Sequence, residues 1–408
     1  MDEKAEAEIS GFLSSTDKAS LGELAVFFLR LGTTAFGGPA GHIAMMEDEL
    51  VRRRKWLSSE KFLDLLGASN LIPGPSSSEL AIHIGYLRGG WPGLLVAGIC
   101  FIVPAACIVA ALAWAYVHFG KLPAASGILY GIKPVVIAVI LQALWGLSRT
   151  AIKSRFLAIV GLLSGVLGTL GLQPILLLAI AGASVALADL VILTRGASRV
   201  SALAPLAPLS PVARSARSLT TLTTGALAAV APFTLGSLFL IFLKIGAVVF
   251  GSGYVLLAFL RADLVVQRGW LTDSQLVDAI AIGQVTPGPV FTAATFIGFL
   301  LHGVSGAVVA TVGIFLPAFL LVAASGPILP YVRECRIAGA FLDGVIVASL
   351  ALMAVVAWQL TRASITDAKT ALFAAGSLFV LLRFRLNSAW LVPLGALAGL
   401  VVHSLRQH

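Results

Sequence analysis

A chain of 408 residues with 58% hydrophobic and only 12% charged side chains is too apolar for a soluble globular protein, which carries about 25% charged residues. Its apolar runs are long and continuous, which excludes a β-barrel with strands of period two and indicates a polytopic helical membrane protein. The formal charge of +9 comes from loop lysines and arginines, which favours a topology signal over nucleic-acid binding.

The chain opens with an acidic tail, residues 1–20, which lacks the apolar core of a cleavable signal. We predict a first transmembrane repeat over residues 21–194, a basic linker rich in Pro, Ser and Ala over residues 195–231, and a second repeat over residues 232–408. The apolar segments of the first repeat lie at about 21–38, 60–90, 91–119, 126–148, 156–172 and 174–194. Those of the second lie at about 233–255, 273–301, 304–329, 337–360, 368–383 and 387–405.

The two repeats are copies of one another. Shifting the sequence by 214 positions aligns residues 31–76 with residues 245–290 without a gap, and 13 of these 46 positions are identical. After one deletion the alignment continues at an offset of 213 and pairs Trp145 with Trp358. Random apolar sequence gives far fewer matches. The sequence therefore predicts an all-α membrane protein of two homologous halves.

Each half interrupts one apolar segment with the same triplet, Pro-Gly-Pro, at residues 73–75 and 287–289. We expect the chain to fold back there as a re-entrant segment, and a kink in a continuous helix is the alternative. Five crossings then remain in each half, and an odd number makes the second half an inverted copy with an extracytoplasmic N-terminus. This arrangement gathers most basic loop residues on the cytoplasmic side, although Arg362 and Lys369 fall outside.

The broken segments predict an anion site. A half-helix exposes unpaired N–H groups and the positive end of its dipole, Pro suits its first position, and Ser or Thr adds hydroxyl donors. Inverted repeats with broken helices are typical of secondary transporters, which bind substrate near mid-membrane where half-helices meet. The candidate binding residues at the two breaks are Pro73, Gly74, Pro75, Ser76, Ser77, Ser78, Pro287, Gly288, Pro289 and Thr292.

Two cations, Arg30 and Lys244, occupy matching positions inside an apolar run of each half. They are further candidates because a cation within a spanning segment usually faces a cavity or partner, and two can neutralise a divalent anion. The alternative is that both side chains reach a membrane surface. Glycine-rich turns that allow close backbone approach follow them, and they add the candidates Gly37, Gly38, Gly251 and Gly253.

Glu79 follows the first Pro-Gly-Pro, whereas Ala293 holds that position in the second half. We interpret this intramembrane carboxyl as a candidate for proton coupling, or as a cap for free N–H groups. His83 and His302 are expected to pack or to form hydrogen bonds. The three cysteines lack CxxC spacing or His partners and are expected to be packing residues. We expect no catalytic residue, no metal site and no cofactor.

Several segments together resemble the chromate ion transporter family in its long, two-domain form. They are FGGPAGHI at residues 36–43, ELVRRRKWL at residues 49–57, FLDLL at residues 62–66, NLIPGP at residues 70–75 and IGYLRGGWPG at residues 84–93. The resemblance implies a multi-pass inner-membrane protein that exports chromate, a sulfate mimic, by the proton motive force. Ser76 stands where the family often has Asn, which bears on selectivity more than on anion binding.

Three alternatives remain open. A membrane enzyme such as a chromate reductase would need a flavin, haem or metal site, and the sequence has no Rossmann glycine pattern or clustered His and Cys ligands. A passive anion channel would show flux independent of a counter-gradient. An uptake carrier for sulfate or another divalent oxyanion has the same charge and geometry requirements.

The expected partners are the oxyanion and the lipid bilayer, without nucleic acid, and a homodimer is a further expectation.

Overall fold

The computed structural model describes residues 20–36, 38–120, 122–197, 233–250, 255–365, 367–384 and 388–407, and within them every regular element is helical. The helices of the first half are α1 (Leu21–Thr34), α2 (Gly38–Glu47), α3 (Ser59–Leu71), α4 (Ser76–Phe119), α5 (Pro123–Ala151), α6 (Arg155–Thr169) and α7 (Pro174–Ala197). Those of the second are α8 (Leu235–Val248), α9 (Leu256–Leu260), α10 (Asp273–Val285), α11 (Ala293–Glu334), α12 (Arg336–Ser364), α13 (Ala368–Phe384) and α14 (Ser388–Gln407). Short π-helical turns follow α2 (Asp48–Arg53) and α9 (Arg261–Gln267), and a 3-10 turn (Val290–Thr292) precedes α11.

Matching helices begin with matching caps in the two halves. α1 and α8 both start with a capping box, on Ser20 with Glu23 and on Thr234 with Ser237. The hydroxyls of Ser58 and Thr272 likewise cap α3 and α10. A cap satisfies N–H groups that have no partner inside the helix. The duplication therefore extends from the sequence to the local signals that start each helix.

The chain folds back after α1, so the predicted crossing by residues 21–38 is wrong. The 14 residues of α1 span about 21 Å, which is less than the ~30 Å of a hydrocarbon core. The Phe27 and Trp56 rings lie 6.2 Å apart, and the Arg54 guanidinium lies 5.5 Å from the Phe27 ring centre. A straight helix would separate Phe27 from Trp56 by about 40 Å. α1 and α2 therefore form a hairpin that starts and ends on one face.

The predicted fold-back at Pro-Gly-Pro is confirmed. Ser69 Oγ on α3 lies 3.4 Å from His83 Nδ1 on α4, although a continuous helix would separate these residues by about 21 Å. In the second half, a Cβ built on Gly283 would lie 3.1 Å from the carbonyl oxygen of Val290. The triplet therefore turns the chain through a helical hairpin in both halves, and the simple kink is excluded.

A second reversal divides both long helices, at Gly90 (φ 61°) in α4 and at Gly303 (φ 60°) in α11. Only glycine adopts this left-handed conformation without strain. The remainder of each helix crosses the molecule. Among the described residues, five helices are long and apolar enough to cross a membrane: Ser76–Phe119, Gly127–Ala151, Pro174–Ile192, Val290–Ser325 and Arg336–Ser364.

The two faces of the molecule are defined by α4 and α5. α4 runs from Gly90 to Phe119 and α5 returns from Pro123 to Ala151. We call the face at Gly90 and Ala151 the first face, and the face at Phe119 and Pro123 the second face. The hairpins of the first half open on the first face, because a Cβ built on Gly89 would lie 3.1 Å from the Leu24 side chain, near the start of α1.

The hairpins of the second half enter from the second face. Tyr116, near the end of α4, donates a 2.9 Å hydrogen bond to Asp278 of α10. Lys133, in the first third of α5, donates a 2.6 Å bond to Ser274 at the start of α10 and forms a 3.4 Å ion pair with Asp278. The Tyr130 hydroxyl donates to the carboxylate of Asp367, which precedes α13. These contacts make the second half an inverted copy of the first.

Helices from different halves pack closely together where both have a glycine at the contact. A Cβ built on Gly131 of α5 would lie 2.8 Å from the Cα of Gly399 on α14, and one on Gly344 of α12 would lie 2.9 Å from the Cα of Gly182 on α7. Gly131 and Gly344 match at the 213 offset, so the contact is reciprocal. Small residues let helix backbones approach closely in membranes. Two helices of each half therefore pack on one helix of the other half: α13 and α14 pack on α5, and α6 and α7 pack on α12.

Candidate functional site

The two Pro-Gly-Pro turns are bonded to the opposite halves of the chain. The N–H of Gly74 donates a 2.7 Å hydrogen bond to the carbonyl oxygen of Val249, just after α8. The N–H of Gly288 donates a 3.0 Å bond to the carbonyl oxygen of Ala35, just after α1. These four residues are two register pairs at the offset of 214. The turns and the ends of α1 and α8 therefore meet in the interior, about 20 Å from the face where each hairpin enters.

The first turns of α4 and α2 are joined by a buried histidine. His42 Nδ1 lies 3.2 Å from Ser77 Oγ, and His42 Nε2 lies 3.2 Å from the carbonyl oxygen of Ala35. One ring nitrogen donates and the other accepts in the neutral imidazole, and the tautomer is assigned from these partners. Gly38 begins α2 at φ 69°, and a Cβ built on it would lie 4.0 Å from the Val290 side chain at the start of the second half-helix. Three helix starts therefore converge here, on α4, α2 and the 3-10 turn.

The predicted serines and Glu79 fill the first turn of α4. Ser76, Ser77, Ser78 and Glu79 are all buried. The N–H groups of Ser78 and Glu79 donate to the carbonyl oxygen of Pro75 at 2.7 and 3.1 Å, which tightens the turn. Among the described residues, neither the Ser78 hydroxyl nor either carboxyl oxygen of Glu79 has a hydrogen-bond partner. Buried polar atoms without partners are rare in proteins, and they point to a missing ligand or proton.

Gly74 makes room for the Glu79 carboxyl. Its φ is +139°, and a Cβ at this position would collide with Glu79 Oε1. The glycine of the first triplet is thus required twice, by its backbone conformation and by the space that the carboxyl occupies. Gly288 of the second triplet (φ +89°) instead packs on the first half, where a Cβ would lie 3.1 Å from the carbonyl oxygen of Gly32.

The second half-helix start is short and lacks an acid. Val290–Thr292 forms a single 3-10 turn, and the buried Thr292 hydroxyl donates a 2.8 Å bond to the carbonyl oxygen of Pro289. Ala293, the register equivalent of Glu79, is also buried. The two starts therefore occupy matching positions in the halves but differ in helix type and in charge.

Arg30 and Lys244 lie away from the turns, in matching ion clusters. Lys244 Nζ is 2.5 Å from the buried Asp263 carboxylate, and Arg268 adds a 3.7 Å ion pair with the same group. In the first half Arg54 pairs with Glu49 at 2.8 Å.

The Arg30 side chain is exposed, and its charge acts on the Arg54 and Glu49 pair from beyond ion-pair distance. The pKa of the Glu49 carboxyl lies below its usual range because Arg54 donates a hydrogen bond to it, and the charge of Arg30 contributes further. The structure thus gives Lys244 a carboxylate partner, leaves the Arg30 side chain exposed, and does not bring either cation's side chain to the Pro-Gly-Pro turns.

The remaining predicted residues divide into three groups. Pro73, Pro75, Pro287 and Pro289 flank the two bonded glycines and fix the turns. Gly38 reaches the second half-helix start. Gly37, Gly251 and Gly253 lie outside the described residues.

The sequence analysis did not single out His42 as a site residue. The only signal for His42 in the sequence is that it lies four residues after Gly38, where the helix that follows Phe36 begins. His83 was expected to form hydrogen bonds, and its Nε2 lies 3.0 Å from Ser325 Oγ of α11, which ties the first hairpin to the second half.

The arrangement suits an anion. Each helix start presents about half a positive charge, and a pocket of N–H and hydroxyl donors binds oxyanions without a dedicated cation. Ser77, Ser78 and His42 supply polar side-chain atoms at this point of the interior.

Comparison with known proteins identifies the family of the chain. A family model described as "Chromate transporter" matches the chain twice, over residues 22–187 and 236–400. The chain belongs to the chromate transporter family. Each match covers one of the two inverted halves, so the family's repeated unit is the half described above.

Members of the family with similar sequences span the whole chain. The chain is 31% identical over 404 residues to the chromate transport protein of Cupriavidus metallidurans, covering 98% of this chain and 97% of that protein. It is 32% identical over 385 residues to the chromate transport protein of Pseudomonas aeruginosa, covering 92% and 91% of the two chains. A probable chromate transport protein of Synechococcus elongatus is 31% identical over 394 residues, with 94% and 96% covered. No solved structure matches this one.

Proposed function

We propose that this multi-pass membrane protein is a secondary carrier that exports chromate across the inner membrane. The observation that carries the proposal is the reciprocal pair of bonds between the two Pro-Gly-Pro turns and the opposite halves, Gly74 to Val249 and Gly288 to Ala35. It brings helix starts from both inverted copies to one buried place. Secondary transporters bind substrate at such a place.

Chromate fits the chemistry of these helix starts. It is a tetrahedral dianion whose four oxygens accept hydrogen bonds from several directions, as donors on converging helices require. The Ser78 hydroxyl, which has no partner among the described residues, and the Ser77 hydroxyl, which contacts His42, are donors of this kind. The similar relatives are named chromate transport proteins.

Two inverted halves suit a carrier better than a channel. Inverted repeats carry out alternating access when one half rocks against the other around a fixed site. Here the turns bond across the halves, so a movement of either half changes the geometry around both turns. A channel would instead keep a continuous pore.

Export of a dianion follows the electrical component of the proton motive force. A membrane potential contributes about 2.3 kcal/mol per charge per 100 mV, so an interior-negative membrane drives a dianion outward by about 4.6 kcal/mol per 100 mV. Glu79 is the candidate for the additional binding of a proton at the same place.

We assign the first face to the cytoplasm. On this assignment the start of α1 lies on the cytoplasmic side, opposite to the extracytoplasmic N-terminus expected from five crossings in each half. It carries the densest basic run of the chain, Arg52 to Lys55, and Lys153 and Arg336, which pair with Asp343 and Asp189. Basic residues stay on the cytoplasmic side of inner-membrane proteins.

The test is flux of labelled chromate in proteoliposomes with an imposed potential and, separately, an imposed pH gradient. We expect chromate to leave an interior-negative compartment and to exchange faster when unlabelled chromate is present on the far side. Such stimulation by substrate on the opposite side is a property of carriers. Flux without that stimulation would indicate a channel, and no chromate flux under any gradient would refute the substrate assignment.

Sulfate transport and a homodimer belong to the same proposal. Excess sulfate is expected to compete with labelled chromate in the flux assay, because the two anions share charge and shape. Mass measurement of the purified protein in detergent tests the dimer.

A further inference from the structure

We propose that the carboxylate of Glu79 is a tethered competitor of the transported anion, which must take up one proton before the dianion can bind at the first half-helix start. This inference rests on the proposed function and adds a binding rule: the site takes up one proton with each oxyanion. The loaded site then carries one net negative charge, and an interior-negative membrane drives it outward by about 2.3 kcal/mol per 100 mV instead of the value for the bare dianion. Neither the family match nor the names of the relatives contain this rule.

The position of the carboxyl is the first observation. Glu79 is fully buried in the first turn of α4, and its Oε1 lies directly against Gly74 at the Pro-Gly-Pro turn. Neither oxygen has a hydrogen-bond partner among the described residues, and the buried Ser78 hydroxyl beside it also lacks one. A negative group is favoured at a helix start. The carboxyl therefore occupies the place that an oxyanion would take.

The second half provides an internal comparison. Its triplet bonds to the opposite half in the same way, but Ala293 stands where the first half has Glu79. Of the two half-helix starts, the first thus carries the competing carboxyl and the second does not, and the acid is not needed to form the turn.

Charge arithmetic requires the proton. The three converging helix starts provide about 1.5 positive charges in total. A dianion alone already exceeds this sum, and a dianion beside a carboxylate would add a third negative charge in a buried place. Like charges a few ångströms apart are strongly unfavourable away from water.

Among the residues that the structure describes, no cation contacts the Glu79 carboxyl to remove this conflict. Two titratable side chains contact the first turns of α4: His83, whose Nδ1 lies 3.1 Å from the Glu79 carbonyl oxygen, and His42, which bonds to Ser77. At Gly74, beside the carboxyl, α11 contributes Ala318 and the end of α8 contributes the Val249 carbonyl oxygen, and both are uncharged. Protonation of Glu79 from water removes one negative charge and leaves a neutral acid that can donate to the anion.

The direction of the pH effect follows from this linkage. Proton uptake on binding strengthens binding as pH falls and weakens it as pH rises, by up to about tenfold per pH unit for one proton. Removing the titratable group removes the slope. Adding a second carboxyl at the equivalent start steepens it.

The experiment measures equilibrium binding of labelled chromate to the purified full-length protein over a range of alkaline pH, where chromate is a dianion throughout. Wild type, Glu79→Gln, Ala293→Glu and the control Glu60→Gln, an exposed acid at the start of α3, are compared. We expect affinity to fall up to about tenfold per pH unit in wild type and in Glu60→Gln, to be flat in Glu79→Gln, and to fall more steeply in Ala293→Glu.

Three results would overturn the inference. Wild-type binding that does not change with pH would refute it while leaving the proposed function intact. A slope that survives in Glu79→Gln would assign the proton to another group, whatever the behaviour of Ala293→Glu. No chromate binding by wild type would refute the proposed function itself.

Discussion

The amide of Gly74 donates a 2.7 Å hydrogen bond to the carbonyl oxygen of Val249, which links the re-entrant turn of one half to the first helix of the other. The pair formed by Gly288 and Ala35 repeats this link in the opposite sense. Each Pro-Gly-Pro turn is thus hydrogen-bonded to the end of the first helix of the other half. A substitution at either turn should be transmitted to both halves.

We expect Gly74→Ala to destabilise the protein and abolish chromate flux. The residue holds φ +139°, and a Cβ would collide with Glu79 Oε1, so the change costs about 1–3 kcal/mol in backbone strain before the clash. Thermal unfolding of the purified variant measures the loss. The matched control is Gly146→Ala, because a Cβ on Gly146 meets nothing within 4 Å. Equal melting temperatures for the two variants would contradict the strained turn.

Lys244→Ala should destabilise the second half because it leaves the buried Asp263 carboxylate with only the longer contact to Arg268. An unsatisfied buried acceptor costs about 1–3 kcal/mol. The double variant Lys244→Ala with Asp263→Asn should regain much of this stability and keep chromate flux. A stable double variant without flux would return Lys244 to the substrate site.

His42→Ala should raise the KM for chromate, because it removes the group that positions Ser77 against Ala35. Loss of two hydrogen bonds of about 1 kcal/mol each corresponds to a change of roughly tenfold or more. His42→Gln should recover part of it. The control is His302→Ala, since His302 is exposed and stacks on Phe233 beside the Gly303 reversal of α11, away from the Pro-Gly-Pro turns. An unchanged KM in His42→Ala would remove this residue from the site.

Inversion of the halves predicts opposite labelling of two equivalent positions. Arg53 and Gln267 match at the offset of 214, and both side chains are exposed. With Cys100, Cys107 and Cys335 replaced, Arg53→Cys should react with a membrane-impermeant thiol reagent from the cytoplasmic side only, and Gln267→Cys from the other side only. Labelling of both from one side would contradict the inverted arrangement.

The sequence predicted the duplication, the two re-entrant breaks and the buried half-helix starts, because identical triplets at a fixed offset imply that the chain reverses at the same place in both halves. It misassigned residues 21–38 as a crossing, since hydropathy reports how apolar a segment is and not whether the chain reverses after it. The contact between Phe27 and Trp56 that reveals this reversal joins residues far apart in sequence.

The partners of buried polar groups were equally out of reach of pattern reasoning. Lys244 read as a lone cation in an apolar run, but its carboxylate, Asp263, follows nineteen positions later on a π-helical turn. His42 gains its importance only when α2 and α4 begin side by side. Side-chain pairing of this kind depends on how hairpins pack.

The most direct test of the central claim is to locate chromium in a structure of the protein with bound chromate, by its anomalous scattering. Our account predicts the chromium within hydrogen-bonding reach of the first turn of α4 or of the Val290–Thr292 turn. Chromium held by the side chains of Arg30 or Lys244, away from both Pro-Gly-Pro turns, would contradict it.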